Sequence, residues 1–182
     1  MLHGELVSLR DLRRDDLPVL HAVVGDPDAH ALVNTGPWVP TTLARRQAEF
    51  DRRQERDDDP DAVRFAIQRR DDPAGRCLGS AMVWGIDVHD RTAHLGLSLT
   101  AQSRGKGLGR DTVRVLCRYA FDVHGLHRVS LETLATNAAM RSAALACGFV
   151  EEGTLREAAW VMGRRVDEVV YGLLATQWRA AR

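Results

Sequence analysis

The chain lacks an excess of charge of either sign. Lys+Arg and Asp+Glu each number 25 over 182 residues, so the formal net charge is zero and the pI is about 7.1. No basic stripe marks a nucleic-acid surface, and no nucleic-acid partner is expected. Lysine occurs once, at Lys106, against many arginines; this reads as coding bias without functional weight. Cysteine is scarce: Cys77, Cys117 and Cys147 are widely spaced, with no Cys-x-x-Cys pair and no Cys/His metal spacing. An odd count in apolar surroundings points to buried, reduced thiols, and no metal site is expected. The N-terminal MLHGELVSLR has no signal-peptide apolar core. No apolar run is long enough to span a bilayer, so no membrane is expected and the cytoplasm is the expected compartment. A 45% hydrophobic content allows a core, and the length suits a single domain over 1–182.

What is present is a stretch that organises the rest. Gln102 to Arg110 reads QSRGKGLGR, with glycines at Gly105, Gly107 and Gly109. It follows an apolar run, Ala93 to Thr100, and leads into a helical pattern. Strand, glycine loop and helix together expose backbone N–H groups at the positive end of a helix dipole, where phosphate binds. Glycine lets the main chain approach an anion and take φ > 0; Arg104, Lys106 and Arg110 add positive charge. A Walker A loop needs Ser or Thr after Gly-Lys, but Gly107 stands there. A Rossmann fingerprint needs a glycine where Arg110 stands. Both nucleotide motifs fail on spacing.

Along the chain, Glu5 to Arg10 predicts a strand. Asp15 or Asp16 caps a short helix with Leu17, Leu20 and Val24 on one face, ended by Gly25-Asp26-Pro27. Residues 28–40 are irregular. Thr41 or Thr42 caps a mostly solvated helix to about Arg56. Val63, Phe65 and Ile67 alternate with Arg64, Ala66 and Gln68 as a half-buried strand. With strands over Cys77–Ile86 and Ala93–Thr100, it makes an antiparallel meander. Gly107 to His124 is the clearest helix. Leu108, Thr112, Val115, Leu116, Tyr119 and Val123 fall on its apolar face, with Arg110, Asp111, Arg114, Arg118 and Asp122 opposite. Arg128 to Leu134 is a strand reached by a right-handed crossover. Asn137 caps a short helix that Gly148 stops. Strands over Val150–Val161 and Val166–Leu174 close the chain. The order β-α-α-β-β-β-α-β-α-β-β predicts an α/β fold: a mixed, mostly antiparallel sheet flanked by helices, with a β-α-β crossover at the glycine loop.

Gln102, Gly105 and Gly107 also fit Gln/Arg-x-x-Gly-x-Gly/Ala, and HLGLSLT precedes them. Further on, Asn137, Gly148, Phe149, Glu152, Gly153 and Arg156 recur at matching spacings, and the chain ends GRRVDEVVYGLLATQW. These segments resemble the GCN5-related N-acetyltransferase (GNAT) superfamily, and the ending resembles its RimJ/RimL-like branch of ribosomal-protein N-terminal acetyltransferases. The resemblance covers nearly the whole chain and is strongest from Ala93 to Trp178. It implies the GNAT fold and an acetyl-CoA-dependent N-acetyltransferase with direct transfer in a ternary complex, acetyl-CoA being the cosubstrate. The acceptor would be a primary amine: a protein or peptide N-terminus, or a small molecule such as a polyamine or an antibiotic. A homodimer is the family expectation.

The resemblance also distributes roles. The pyrophosphate falls to the backbone of Arg104, Gly105, Lys106, Gly107, Leu108, Gly109 and Arg110. The pantetheine arm falls to the backbone of Leu97, Ser98 and Leu99, with Asn137 binding the arm or capping its helix. A base must take the amine's proton. His94, on the strand before the loop, and Glu132, on the strand after the crossover, are the two candidates. Either could instead be structural. Trp38 and Trp84 are candidates for the acceptor pocket, with Trp160 a third. Asp26, Asp28 and Asp57 to Asp59 could attract a cationic amine, or be a solvated acidic loop. The family's usual thiolate proton donors are absent: Ala144 stands where many members have Tyr, and Met140 where the branch often has Ser. Ser142, nearby, is expected to face away. That departure keeps a second possibility open, a CoA-binding module of this fold with weak or no transferase activity.

Overall fold

The computed structural model describes residues 1–27, 30–31, 36–56 and 61–180. Asp28 and Asp57 to Asp59 lie outside the described residues, as do 29, 32–35 and 60. The elements are β1 (Leu2–His3), β2 (Val7–Asp11), α1 (Leu17–Gly25), α2 (Leu43–Arg56), β3 (Ala62–Arg69), β4 (Gly79–Asp87) and β5 (Thr92–Leu99). Then come α3 (Leu108–Arg118), β6 (Arg128–Leu134), α4 (Ala138–Ala146), β7 (Val150–Val161), β8 (Arg164–Leu174) and α5 (Ala175–Ala180). The strands form one sheet in the order β1-β2-β3-β4-β5-β6-β8-β7. Every pairing is antiparallel except β5 with β6, which are parallel and joined through α3. The mixed α/β layering and the crossover are as the pattern predicts.

The sheet is chemically two-sided because strand side chains alternate. One face carries Val7, Leu9, Phe65, Ile67, Ala81, Val83, Leu95, Val129, Leu131 and Tyr171, all buried in a core with Leu116, Phe121 and Phe149. The other face mixes polar and small residues with a few large apolar ones. Its registered neighbours include Ser80 with Ser98, Met82 with Gly96, and Trp84 with His94. Here Arg10 is buried, bidentate to Asp16 at 2.7 Å and donating from Nε to Gln68 at 2.8 Å. That network covers the polar side of β3, so Phe65, Ala66, Ile67 and Gln68 are all buried. The strand is internal and covered on both faces, not half-buried. Asp16, expected as a helix cap, instead serves Arg10 and accepts from the Arg13 N–H at 2.8 Å.

Two features of α3 depart from the expected face. Asp111, on the expected solvent side, is 5% exposed. Its carboxylate accepts from the N–H groups of Glu5, Leu6 and Val7 at 3.1, 2.7 and 2.9 Å, tying the β1–β2 turn to the helix. That turn also takes Glu5 and Leu6 out of the expected first strand, which begins at Val7, and a short β1 precedes it. Val123, on the expected apolar face, is 64% exposed. The helix ends in a π-helical turn, Tyr119–Val123, closed by His124 N–H to Tyr119 C=O. The wider turn rotates Val123 off the apolar stripe.

Candidate active site

The parallel pairing of β5 with β6 is short. It runs through Thr92–Arg128, Ala93–Val129 and His94–Ser130 and then stops, although each strand stays paired to its other neighbour to its end. Beyond His94 the two strands diverge, and a cleft of about 600 Å³ opens between them. The Thr100 N–H bonds to Leu78 on β4. By alternation, the main-chain groups of Leu95, Leu97 and Leu99 therefore face the cleft and those of Ser98 face β4. The Leu99 carbonyl accepts from Arg104 Nε at 3.1 Å, and the last parallel rung, His94–Ser130, takes the Leu95 N–H, so Leu97 and the Leu95 carbonyl are the groups left open to the cleft.

The glycine loop forms one end of the cleft. Gly105 (φ +73°) and Gly107 (φ +78°) are both left-handed, a conformation that costs a side-chain-bearing residue roughly 1–2 kcal/mol. No side chain caps α3, so its first N–H groups have no partner within the helix. Arg104, Gly105, Gly107, Gly109 and Arg110 line the cleft; Lys106 does not, and Leu108 is buried in the core. Asn137 both lines the cleft and caps α4. Its Oδ1 accepts from the Met140 N–H at 3.2 Å and its Nδ2 donates to Thr133 Oγ1 at 3.1 Å.

The two candidate bases are one unit. His94 Nδ1 lies 3.0 and 3.1 Å from the two oxygens of Glu132. Glu132 lines the cleft and His94 stands behind it. The His94 ring stacks on Trp84, centroids 4.5 Å apart at 24°. The hydrogen bond to Glu132 raises the His94 pKa above the ordinary imidazole value, against desolvation. Beside them Arg128 pairs with Glu152 across Gly172, where any side chain would collide with both. Trp84 thus contacts His94 rather than the cleft. Trp38 lines a separate small cavity with His21 and Arg46, and donates to the Val24 carbonyl at 3.2 Å. Trp160 is exposed on β7 under Arg165, and Asp26 is exposed at the end of α1.

The α4 wall differs from the sequence expectation. Ser142 lines the cleft, together with Ala139, Met140, Ala143 and Ala146. Ala144 is wholly buried in the core, so a larger residue there would face the core. Glu168, on β8, also lines the cleft. Nothing in the sequence singled it out, because it sits among valines in an ordinary strand. Among the described residues no group of His, Cys, Asp or Glu could hold a metal ion. No helix of the described residues is long and apolar enough to cross a membrane.

Residues 7–150 match the model of the acetyltransferase (GNAT) domain family. The putative ribosomal N-acetyltransferase YdaF of Bacillus subtilis is 31% identical over 108 residues, which is 59% of this chain and 59% of YdaF. An uncharacterised N-acetyltransferase, p20 of Bacillus licheniformis, is 24% identical over 177 residues, 97% of each chain. The crystal structure of spermidine N-acetyltransferase from Vibrio cholerae, in complex with CoA and spermine, has a TM-score of 0.84 at 22% identity. That match covers 95% of this chain and 98% of the other, and at this identity it speaks to the fold.

Proposed function

The chain belongs to the acetyltransferase (GNAT) domain family, and from that premise we propose that it is an acetyl-CoA-dependent N-acetyltransferase acting on a small primary amine. One observation carries this. A single cleft joins two left-handed glycines, an uncapped helix N-terminus and two arginines at one end to the Glu132–His94 pair at the other. These residues fit acetyl-CoA, which supplies the acetyl group as a thioester. The loop N–H groups with Arg104 and Arg110 hold the pyrophosphate. The open main-chain groups of Leu97 and the Leu95 carbonyl take the arm as an added strand, and the Leu97 N–H serves as an oxyanion donor.

Glu132 receives the acceptor's ammonium at the cleft. His94 holds its Nδ1–H on the Glu132 carboxylate, so the pair takes up the proton at the other ring nitrogen, Nε2, and that hydrogen bond, which raises the imidazole pKa, favours the charged ring. The neutral amine then attacks, with much of the rate coming from its alignment against the thioester. Ser142 is the hydroxyl placed to protonate the departing thiolate. A small acceptor agrees with the carboxylate end of the cleft and with the polyamine bound by the Vibrio cholerae spermidine N-acetyltransferase whose fold this chain shares. The name of YdaF and the RimJ/RimL-like C-terminal segment favour a second acceptor, a peptide N-terminus.

The test is a pH–rate profile with free thiol as readout. His94 must be neutral to take the proton, so activity rises with pH through a pKa above the ordinary imidazole value. Glu132→Gln removes the group that raises it, and the rising limb moves to lower pH as turnover falls. His94→Ala and Glu132→Gln should each cost roughly 10²–10⁴-fold in kcat. The double variant should cost no more than the worse single one, because the pair acts as a unit. Multiplying losses would refute the relay. Acetyl-CoA binding without thiol release, across small amines and peptides, would leave a CoA-binding module.

A further inference from the structure

The charges of the cleft are sorted. Its cationic lining residues, Arg104 and Arg110, belong to the glycine loop, which feeds a helix on the apolar face of the sheet. Its anionic lining residues, Glu132 and Glu168, sit on β6 and β8 and point to the polar face. Nearby carboxylates have cations: Glu132 has His94, Glu152 has Arg128, and Glu151 has Arg141. The Glu168 side chain has no hydrogen bond or ion pair among the described residues, and the residue is half-buried.

Its position relative to Glu132 is fixed by register. Glu132 pairs with Val170 and Leu134 with Glu168, so all four side chains share one face. At about 3.4 Å per residue and 4.8 Å between strands, the two glutamate Cα atoms lie about 8 Å apart. Leu134 follows Glu132 on that face, is directly opposite Glu168, and also lines the cleft. It packs with Ala159 and Val166 in a small apolar cluster. The floor therefore reads carboxylate, hydrocarbon, carboxylate.

We infer that Glu168 is a specificity residue that binds a second ammonium group of the acceptor, so that the preferred substrate is a linear aliphatic diamine or longer polyamine rather than a monoamine. The inference rests on the acetyltransferase reading above. The amine to be acetylated goes to Glu132, the methylenes lie along Leu134, and the distal ammonium pairs with Glu168. A half-buried ion pair of this kind is worth roughly a factor of ten in binding.

The test compares α,ω-diaminoalkanes with n-alkylamines of matched length on the full chain. In the wild type kcat/KM should favour the diamine. In Glu168→Gln the diamine-to-monoamine ratio should fall about tenfold, through KM rather than kcat, and Glu168→Asp should recover part of it. An unchanged ratio overturns the inference even if both amines are acetylated. If CoA binds and no amine is acetylated, the acetyltransferase reading falls. Calorimetry of the diamine on CoA-loaded protein then decides Glu168 alone: tenfold weaker binding by Glu168→Gln upholds its role, and equal binding overturns it.

Discussion

Asp111→Ala probes a contact that joins fold to site. The carboxylate accepts three main-chain N–H groups, of which the Val7 N–H is fully buried and the other two belong to exposed residues. A hydrogen bond to a charged group contributes about 1.5–3 kcal/mol when buried, and much less when water can replace the acceptor. Taking the full range for Val7 and about 0.5 kcal/mol for each exposed bond gives a loss of about 2.5–4 kcal/mol. At roughly 2–4 °C per kcal/mol for a domain of this size, the melting midpoint should fall by about 5–16 °C. Urea unfolding with an unchanged m-value should give the same free energy. Asp111→Asn keeps one acceptor oxygen and should lose about half as much. Gly4→Ala should be harmful for the same reason, since its Cβ would run into the Asp111 carboxylate. A loss under about 1 kcal/mol for Asp111→Ala would show that water replaces the carboxylate, and that the β1–β2 turn is held by other contacts. The same turn brings Leu6 Cδ1 to 3.4 Å from where a Gly107 Cβ would sit. Asp111→Ala should therefore also shrink the thermal shift produced by acetyl-CoA.

Acetyl-CoA or CoA should raise the melting midpoint by mass action, by about 2.7 kcal/mol at a hundredfold excess over Kd. NAD and ATP at equal concentration should do far less, and a larger shift with NAD would refute the cofactor assignment. Gly107→Val meets both a left-handed φ and the Leu6 side chain. It should abolish the CoA-induced shift while the far-UV circular dichroism stays native; a normal CoA shift in this variant would place the phosphate elsewhere.

The fold was legible because its signals are local. The 3.6-residue stripe of α3, the crossover and the Asn137 cap each follow from a few adjacent residues, and all three are in the structure. The cleft was legible only through the glycine loop and the family resemblance. Long-range partners were not visible. Asp111 looks like any solvent-facing helix acid until the N-terminal turn arrives more than a hundred positions away in sequence. His94 and Glu132 looked like competitors because nothing in one strand reveals its register with the next. Glu168 carries no pattern at all, since its place in the cleft comes from its register opposite Leu134 of β6. The short helix α5 was missed for a different reason: its Ala175–Ala180 segment is too brief for a periodic stripe.

The placement of the site follows from a single interruption in the sheet. A parallel pair must be connected by a crossover, so the loop that leaves β5 has to open a helix on one face. That puts the positive helix end and its glycines at the tip of β5 and on the apolar side. Strands that stayed paired to that tip would bury the Leu95 carbonyl and the main-chain groups of Leu97 in a ladder. Because the pairing stops at His94–Ser130, those groups instead face open space. Unpaired main-chain groups inside a protein are costly unless something completes them. An extended arm can enter there as the missing strand. On the proposed reading its phosphate end would meet the N-terminus of α3 and its reactive end the apex, beside Glu132. The polar face then does what the apolar face cannot. It presents carboxylates and a hydrogen-bonded imidazole to an incoming cation, while the core behind β5 and β6 keeps the apex fixed. On the proposed reading the cleft would thus meet an anionic partner on one side of the sheet and a cationic one on the other, at the point where the two strands part.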